Sequence, residues 1–550
     1  MRTSYRILVL GARRSTVCAG LALISSLFSA VWLSAQSPAE AAGVAADRGR
    51  ILLVLPFDNR TGQPSLEWIR EAASNLLTSR FASAGFAPMT RADRMYALDH
   101  LGLPQGFQPS RASSLKLAQT LDADSIVVGS YTTEGTQIVA EAQLVDVPHL
   151  RMTPSVTARG EMKDMIAVFD SLAWKLTREL DPSLNVGEET FIAAGAGLRL
   201  DAYEQYIRGI TEPDQAERQR HLEQAVKLSP GFSPAWMALG REDYQSQQYE
   251  QAVQAFGKVD RNGPDALEAG FYRGLSLLIS GDYTQAAQAF ADIARVLPLA
   301  EVVNNEGVAV SRQGHDGTAL FVQAASVDPN GADYHFNLAV SLKRHGKTTA
   351  ALNELAQCLK LRPADTEAQS LAAAWKTPGS AQTVAGADPP ASIDPLERIV
   401  RTFDASAFRQ AAAMLDQMDA TRMAALSPRD RALKLSAQAK GFFDRGLLLE
   451  AERLYQSAVS ADPQGAEGHL GLAEIRERTG DSAGARQEAH KALELSPSAD
   501  AYLVLARLDL GDNHLTEAKS EAGEALRLDA SNPAAQELLR QILARSGQSQ

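Results

Sequence analysis

Cysteine is nearly absent: the 550-residue chain holds two, Cys18 and Cys358. Two thiols cannot build a disulfide framework, so a cross-linked small-domain architecture is excluded. Aromatic residues are also scarce, at 6%. Alanine and leucine must therefore do most of the packing, which favours helices. No basic block is present, and the formal net charge is −12. A chain without Lys and Arg clusters is a poor ligand for phosphate backbones, which argues against nucleic acid as partner. The nine histidines form no His-x-x-x-His or Cys/His pair with metal spacing. No Gly-x-Ser-x-Gly elbow and no Gly-x-Gly-x-x-Gly after a strand occurs either. His345–Gly346–Lys347–Thr348–Thr349 ends like a phosphate loop, but Ser341 stands where its first glycine belongs, and the segment reads as a turn. Asp122 and Asp124 likewise read as a turn, and Cys358 as a core thiol. The sequence thus motivates no catalytic residue, no cofactor and no metal.

What is present begins with Arg2, Arg6, Arg13 and Arg14, unaccompanied by acids, followed by an apolar run from Val17 to Leu33 and small residues at Ser34–Ala35–Gln36. This pattern predicts an export signal over residues 1–36, cleaved or kept as an inner-membrane anchor, with a linker at 37–49. The expected location is periplasmic, or anchored and facing the periplasm.

In the second half prolines recur at Pro230, Pro264 and Pro298, again at Pro329 and Pro363, and at Pro463 and Pro497, mostly in steps of 34 residues. Each follows a stripe such as Ala252, Phe256 and Val259, or Ala286, Phe290 and Ile293, whose offsets of four and three place it on one helical face. Small residues recur ahead of these stripes at Gly209, Gly240, Gly274, Gly307, Ala339, Ala439 and Ala473, where paired helices must cross closely. Ser280–Gly281–Asp282, His345–Gly346–Lys347 and Thr479–Gly480–Asp481 mark turns between the helices.

Trp236-x2-Leu239–Gly240, Ala252-x3-Phe256 and Pro264 resemble the tetratricopeptide repeat. Eight repeats start near residues 202, 233, 267, 301, 332, 432, 466 and 499. They predict one array over 200–375, closing with Thr366–Trp375, and a second over 393–545. The second opens with a degenerate helical pair at 393–420 and closes with a capping helix at Asn532–Ala544. Between them Lys376–Ser392, rich in small residues and proline, reads as a flexible linker that lets the arrays move.

Residues 50–181 lack the period. Ile51–Phe57 reads as a buried strand, Leu66–Leu77 and Ser110–Leu121 as helices, Ser125–Val128 as a strand, Gln137–Val147 as half of a hairpin and Asp164–Leu180 as a closing helix. The fold class is thus mixed: a small N-terminal α/β sandwich followed by an all-α solenoid in two arrays. Leu55–Pro56–Phe57–Asp58–Asn59, Val127–Val128–Gly129–Ser130–Tyr131 and Gln143–Leu144–Val145–Asp146 resemble the N-terminal domain of TolB and the related FlgO and CsgG-like envelope domains, which implies an envelope recognition module.

The repeat resemblance implies that the first helix of each pair lines a concave groove. Carried onto this chain, the groove positions are Arg241, Tyr244, Phe271, Asn305, Arg312, Phe336 and Lys343, a set suited to an extended peptide or protein partner with acidic or polar groups. The terminal-carboxylate clamp of some relatives is not reproduced, because Met237, Phe271, Asn305 and Phe336 occupy its place. In the second array Lys440, Glu474 and Arg507 read as a charge ladder. The expected function is an exported, non-catalytic scaffold, with self-association through exposed end faces left open. The alternative is an envelope sensor whose α/β domain binds a small ligand and whose repeats relay it.

Overall fold

The computed structural model describes residues 51–104, 110–376 and 395–548. The export signal, the linker at 37–49 and the inter-array linker at 377–392 lie outside the described residues.

The N-terminal part is built on a seven-stranded mixed sheet. Strand β1 (Ile51–Val54) pairs in parallel with β3 (Ala87–Pro88) and with β4 (Ser125–Glu134), and β2 (Asp58–Asn59) adds to β4. The long hairpin of β4 with β5 (Gln137–Asp146) turns at Gly135, whose positive φ of 64° suits glycine. Strands β6 (Arg151–Met152) and β7 (Val156–Glu161) both pair with β5. Helices α1 (Ile69–Ser83) and α4 (Met165–Leu180) pack their apolar sides on this sheet around Phe57, Phe81 and Phe169, all fully buried. Helix α2 (Arg91–His100), opened by a capping box from Thr90 and Asp93, and α3 (Arg111–Thr120), capped by Ser110, lie over a separate apolar cluster that includes Leu53, Leu55, Ala97 and Leu117. Helix α2 and strands β2, β3, β6 and β7 add to the elements expected from sequence, which has Asp58–Gly62 as a turn; the four strands are too short or too exposed to carry a periodic signal.

Gly129 is required where β4 passes Phe57. A Cβ there would lie 2.3 Å from the Phe57 ring, which itself sits edge-on to Phe169 at 5.7 Å. Gly129→Ala is expected to cost about 1–3 kcal/mol by overpacking. Urea unfolding should show the lower midpoint, and an unchanged midpoint would contradict this packing.

Helix α5 (Glu188–Gly195) leads into helix pairs: α6/α7 (Leu200–Thr211, Gln215–Leu228), α8/α9 (Ser233–Gln245, Tyr249–Phe256), α10/α11 (Ala266–Ser280, Tyr283–Ala294), α12/α13 (Ala300–Arg312, Thr318–Val327) and α14/α15 (Ala332–Arg344, Thr348–Leu361). The single helix α16 (Thr366–Lys376) ends this array. Each crossing is tight where a small residue was expected. A Cβ on Gly240 would lie 2.7 Å from Phe256, on Gly274 2.9 Å from Phe290, and on Gly307 2.8 Å from Phe321. Ala339, Ala439 and Ala473 are fully buried.

The second array contains α18/α19 (Pro428–Asp444, Leu448–Ala461), α20/α21 (Ala466–Thr479, Ser482–Leu495) and α22/α23 (Ala499–Gly511, Leu515–Leu528), closed by α24 (Pro533–Gln548); α17 (Ala405–Ala424) precedes it. Two features differ from expectation. Residues 395–404 are extended and lie against the first array, instead of forming the first helix of a pair. The second array is also docked on the α/β domain. Leu449 of α19 joins that domain's apolar cluster, α5 packs on α19 and α20, and Gln456 donates to the Asn185 carbonyl. The arrays are thus tied together at two places, which opposes the free movement expected from the linker composition.

Among the described residues no helix is long and apolar enough to cross a membrane. The candidate run Val17–Leu33 lies outside them.

Candidate peptide groove

The first helices of successive pairs, α8, α10, α12, α14 and α16, line one face of the first array, and the extended segment Pro395–Phe403 lies across it. Its direction is set by its contacts. Pro395 and Glu397 meet the C-terminal end of α14, Arg398 lies between α14 and α16, Val400 meets α12, and Phe403 meets α10. The segment therefore runs against the order of the repeats.

Two asparagines hold its backbone. Asn305 donates from Nδ2 to the Val400 carbonyl at 2.8 Å, and its Oδ1 accepts from the Val400 N–H at 3.0 Å. Asn337 treats Arg398 the same way, donating to its carbonyl at 2.8 Å and accepting from its N–H at 2.6 Å. Asn304 joins them, donating to the Arg398 carbonyl at 3.2 Å and accepting from Asn337 at 2.8 Å. All three side chains are fully buried. In an extended chain residues i and i+2 present their backbone groups in the same direction, so one primary amide can bracket each. This satisfies backbone groups that have no helix or sheet partner.

The side chains are read as well. Arg398 binds Asp365 through both guanidinium nitrogens, at 2.6 and 2.9 Å, and reaches Asp333 at 3.1 Å and Glu367 at 2.8 Å. Its guanidinium lies 3.5 Å from the centre of the Phe336 ring, a stacked cation–π contact. Glu397 is buried and accepts from Ser311 and Arg344, while Arg312 donates to its carbonyl at 3.1 Å. The Phe403 ring packs on Phe271 at 5.5 Å, on Tyr272 at 6.3 Å and on Phe408 of α17 at 4.0 Å.

These charges shape one another. The Arg398 hydrogen bonds pull the Asp365 carboxyl down to about 2 from a usual 3.8, against the opposing effect of burial. Burial opposes charge on Arg398 too, but its bonds to Asp365, Glu367 and Asp333 outweigh it and hold the guanidinium firmly protonated. A carboxyl whose pKa is lowered in the folded state contributes stability that is complete above its ordinary value and lost as pH falls toward the lowered one. The melting-temperature gap between the wild-type chain and Asp365→Asn is therefore expected to be widest at pH 5–7 and to close as pH falls through about 4 to 2. A gap independent of pH would contradict the Asp365–Arg398 pairing. Asn still caps α16, where Asp365 accepts from the Ala368 N–H.

Of the seven groove positions expected from sequence, Phe271, Asn305, Arg312 and Phe336 touch the extended segment. Arg241 pairs instead with Glu268 at 2.5 Å, and Tyr244 packs edge-on against Tyr272 at 5.2 Å. Lys343 lies over the Trp375 ring and donates to Thr348 at 3.1 Å. Sequence reasoning missed Asn304, Asn337, Ser311, Asp333, Arg344, Asp365 and Glu367. Asn305 and Asn337 are 32 residues apart, near the repeat period, and that recurrence was the available signal.

Elsewhere the expected motifs are structural. Gly346 turns α14 into α15 with φ 73°, and Asp124 accepts from the Ile51 N–H at 3.1 Å. Cys358 is buried. In the second array Lys440 pairs with Asp444 and Arg507 with Glu477, while burial raises Glu474, with Lys440 and Arg507 opposing that rise. Asp509, Asp512 and His514 come within 4.8 Å of one another, but Arg486 already pairs with both aspartates at 2.6 Å. A cavity of about 570 Å³ opens on the α/β domain among Arg60, Arg70, Ser130, Glu141, Leu150 and Met152.

Stacked helix pairs with an extended segment across one face define the class: a helical-repeat solenoid. Residues 237–298 and 436–500 match the tetratricopeptide repeat family. Among solved structures, MamA from Desulfovibrio magneticus RS-1 is 19% identical, with 31% of this chain and 99% of that chain covered and a TM-score of 0.29. YrrB, described as a TPR protein with an unusual peptide-binding site, is 16% identical over 36% of this chain and 98% of that one, at TM-score 0.28. The LpoB C-terminal domain from Salmonella enterica is 21% identical, covering 21% and 84%, at TM-score 0.19. Likeness at this level carries no functional argument. Comparison with curated protein sequences finds no match.

Proposed function

We propose that this chain is an exported, non-catalytic interaction scaffold that holds an extended segment of a protein partner in the groove of its first array. The observation that carries the reading is the pair of buried asparagines, Asn305 and Asn337, each closing two hydrogen bonds on the backbone of an extended segment. Such bonds bind a peptide main chain whatever its sequence, and rigid helices supply them with little ordering cost. Placement in the periplasm, free or anchored to the inner membrane, rests on the four arginines and the apolar run at the start of the sequence. A TolB/FlgO/CsgG-like role for the α/β domain, as an envelope recognition module, rests on the sequence resemblance alone.

The test is photocrosslinking from position 312 of the full chain in its native envelope. The expected result is an intermolecular adduct that disappears when Asn305 and Asn337 are both changed to Ala in a chain whose circular dichroism is unchanged. Adducts indifferent to those changes would remove the groove from the function. The 570 Å³ cavity favours a second reading, in which the α/β domain binds a small ligand. A ligand-dependent rise in melting temperature, lost on Arg60→Ala, would support it.

A further inference from the structure

The segment in the groove belongs to the same chain, and its contacts specify what else can lie there. We infer that Pro395–Phe403 is a resident ligand, and that the partner of the first array carries an extended stretch of the same chemistry and enters only by displacing it. This rests on the groove reading above and goes beyond it by naming the partner's recognition features and the obstacle to its binding.

The features follow from what each groove group can accept. Asp333, Asp365 and Glu367 converge on one point, and the Phe336 ring forms its floor; Arg362 of the array pairs with Asp333 at 2.7 Å and lies 3.8 Å from Asp365, which leaves charge for a second cation, and a planar one also stacks. Arginine is therefore required at the position of Arg398. Arg344 and Ser311 bind the carboxylate of the preceding residue and so call for an acid, while Arg312 holds its backbone carbonyl. Two residues after the arginine, Val400 is half-buried against the array's apolar cluster and Asn305 fixes its backbone, so an aliphatic residue fits. Five residues after the arginine, Phe271 and Tyr272 form an aromatic seat. Ile399, directly after the arginine, packs on the same cluster, so the partner's segment reads acid, arginine, two aliphatics, two of any kind, aromatic, and it runs against the repeat order.

The resident copy imposes a threshold. Tethering within one chain gives a local concentration on the order of millimolar, so a free segment of equal contacts competes poorly until the resident one is weakened. A partner succeeds by higher affinity, or by first loosening the contacts at Glu397 and Arg398.

The experiment uses the full chain and a fluorescein-labelled peptide, PLERIVRTFD, the sequence of residues 395–404. Fluorescence anisotropy is read for the wild-type chain, for Arg398→Glu, and for Arg398→Glu combined with Asn305→Ala and Asn337→Ala. Binding to Arg398→Glu is expected to be at least tenfold tighter than to the wild type. It should be lost in the combined variant, and lost also when the arginine at position 398 of the peptide is replaced by glutamate. Circular dichroism verifies folding, and a Phe403→Ala chain serves as a second, milder release variant. Equal affinity for the wild-type and both release variants, or no binding to release variants that remain folded, overturns the inference. Peptide binding without any partner adduct in the envelope would defeat the partner reading and leave the resident-ligand inference standing; an adduct with a silent peptide would do the reverse.

Discussion

Arg398→Glu is expected to free residues 395–404 from the first array and to accelerate tryptic cleavage after Arg401 by about 100-fold. The wild-type arginine makes four charge-assisted hydrogen bonds with three carboxylates and covers an aromatic ring. Its glutamate replacement removes all of these and places a fourth carboxylate among Asp333, Asp365 and Glu367. Removing one partner of a buried ion pair costs about 3–5 kcal/mol; with Glu367 half-exposed and Asp333 still paired to Arg362, the low end of that range applies. A protease needs several residues of unfolded backbone, so its rate follows the population of released segment, and about 2.8 kcal/mol corresponds to a hundredfold change. The repeats themselves should keep their helicity, since their core is formed by Phe271, Phe290, Phe321 and their neighbours, whereas Arg398 lies at the groove surface. An unchanged cleavage rate, with the fold intact, would contradict the account of what holds the segment.

The second large effect is expected from Asn305→Ala with Asn337→Ala. Together these side chains make four hydrogen bonds to the backbones of Arg398 and Val400, at 2.6 to 3.0 Å. Truncation leaves two N–H groups and the Val400 C=O without those partners in a half-buried setting, while the Arg398 C=O keeps Asn304, at about 1–3 kcal/mol for each group left unsatisfied. The two sites share Asn304, so their effects should not simply add. Released segments rehydrate, which caps the total at the free energy that holds the strap in place. Isosteric Asn337→Asp separates recognition from bulk packing. It keeps the acceptor for the Arg398 N–H but turns a carboxylate oxygen toward the Arg398 carbonyl, and should release the segment while leaving side-chain volume unchanged. Native-state tryptic cleavage after Arg401 is again the readout. A double variant that cleaves no faster would mean that side-chain contacts alone hold the strap.

The repeats were legible because three independent signals agree. Helix-stopping prolines, small crossing residues such as Gly240 and Gly274, and large residues such as Phe256 and Phe290 that fill against them all recur together. Close packing makes each of these costly to change, so each leaves a mark in the sequence. The groove was legible in part. Phe271, Asn305, Arg312 and Phe336 follow from helix geometry, since fixed positions on the first helix of each pair must face inward.

The strap was not legible, and its residues explain why. Leu396, Ile399, Val400 and Phe403 are spaced three, four and seven apart, which is the pattern of a helical face. In the structure Leu396 is 63% exposed while the other three pack on the first array. Local spacing favoured a helix; the asparagines, lying some 60 to 95 residues earlier, supply the backbone partners that an extended chain lacks. No local pattern reports such distant hydrogen bonds. The docking of the second array onto the α/β domain was hidden for the same reason, because Leu449 looks like any other buried repeat residue until the chain closes.

The groove binds an extended backbone through its asparagines. That binding is tested most directly by residue-resolved hydrogen exchange of the full wild-type chain. Slow exchange is expected at the Arg398 and Val400 amides, the two that donate to Asn337 and Asn305. Asn305→Ala is further expected to speed exchange selectively at Val400. Exchange of both amides at the rate of an unstructured peptide would contradict that binding.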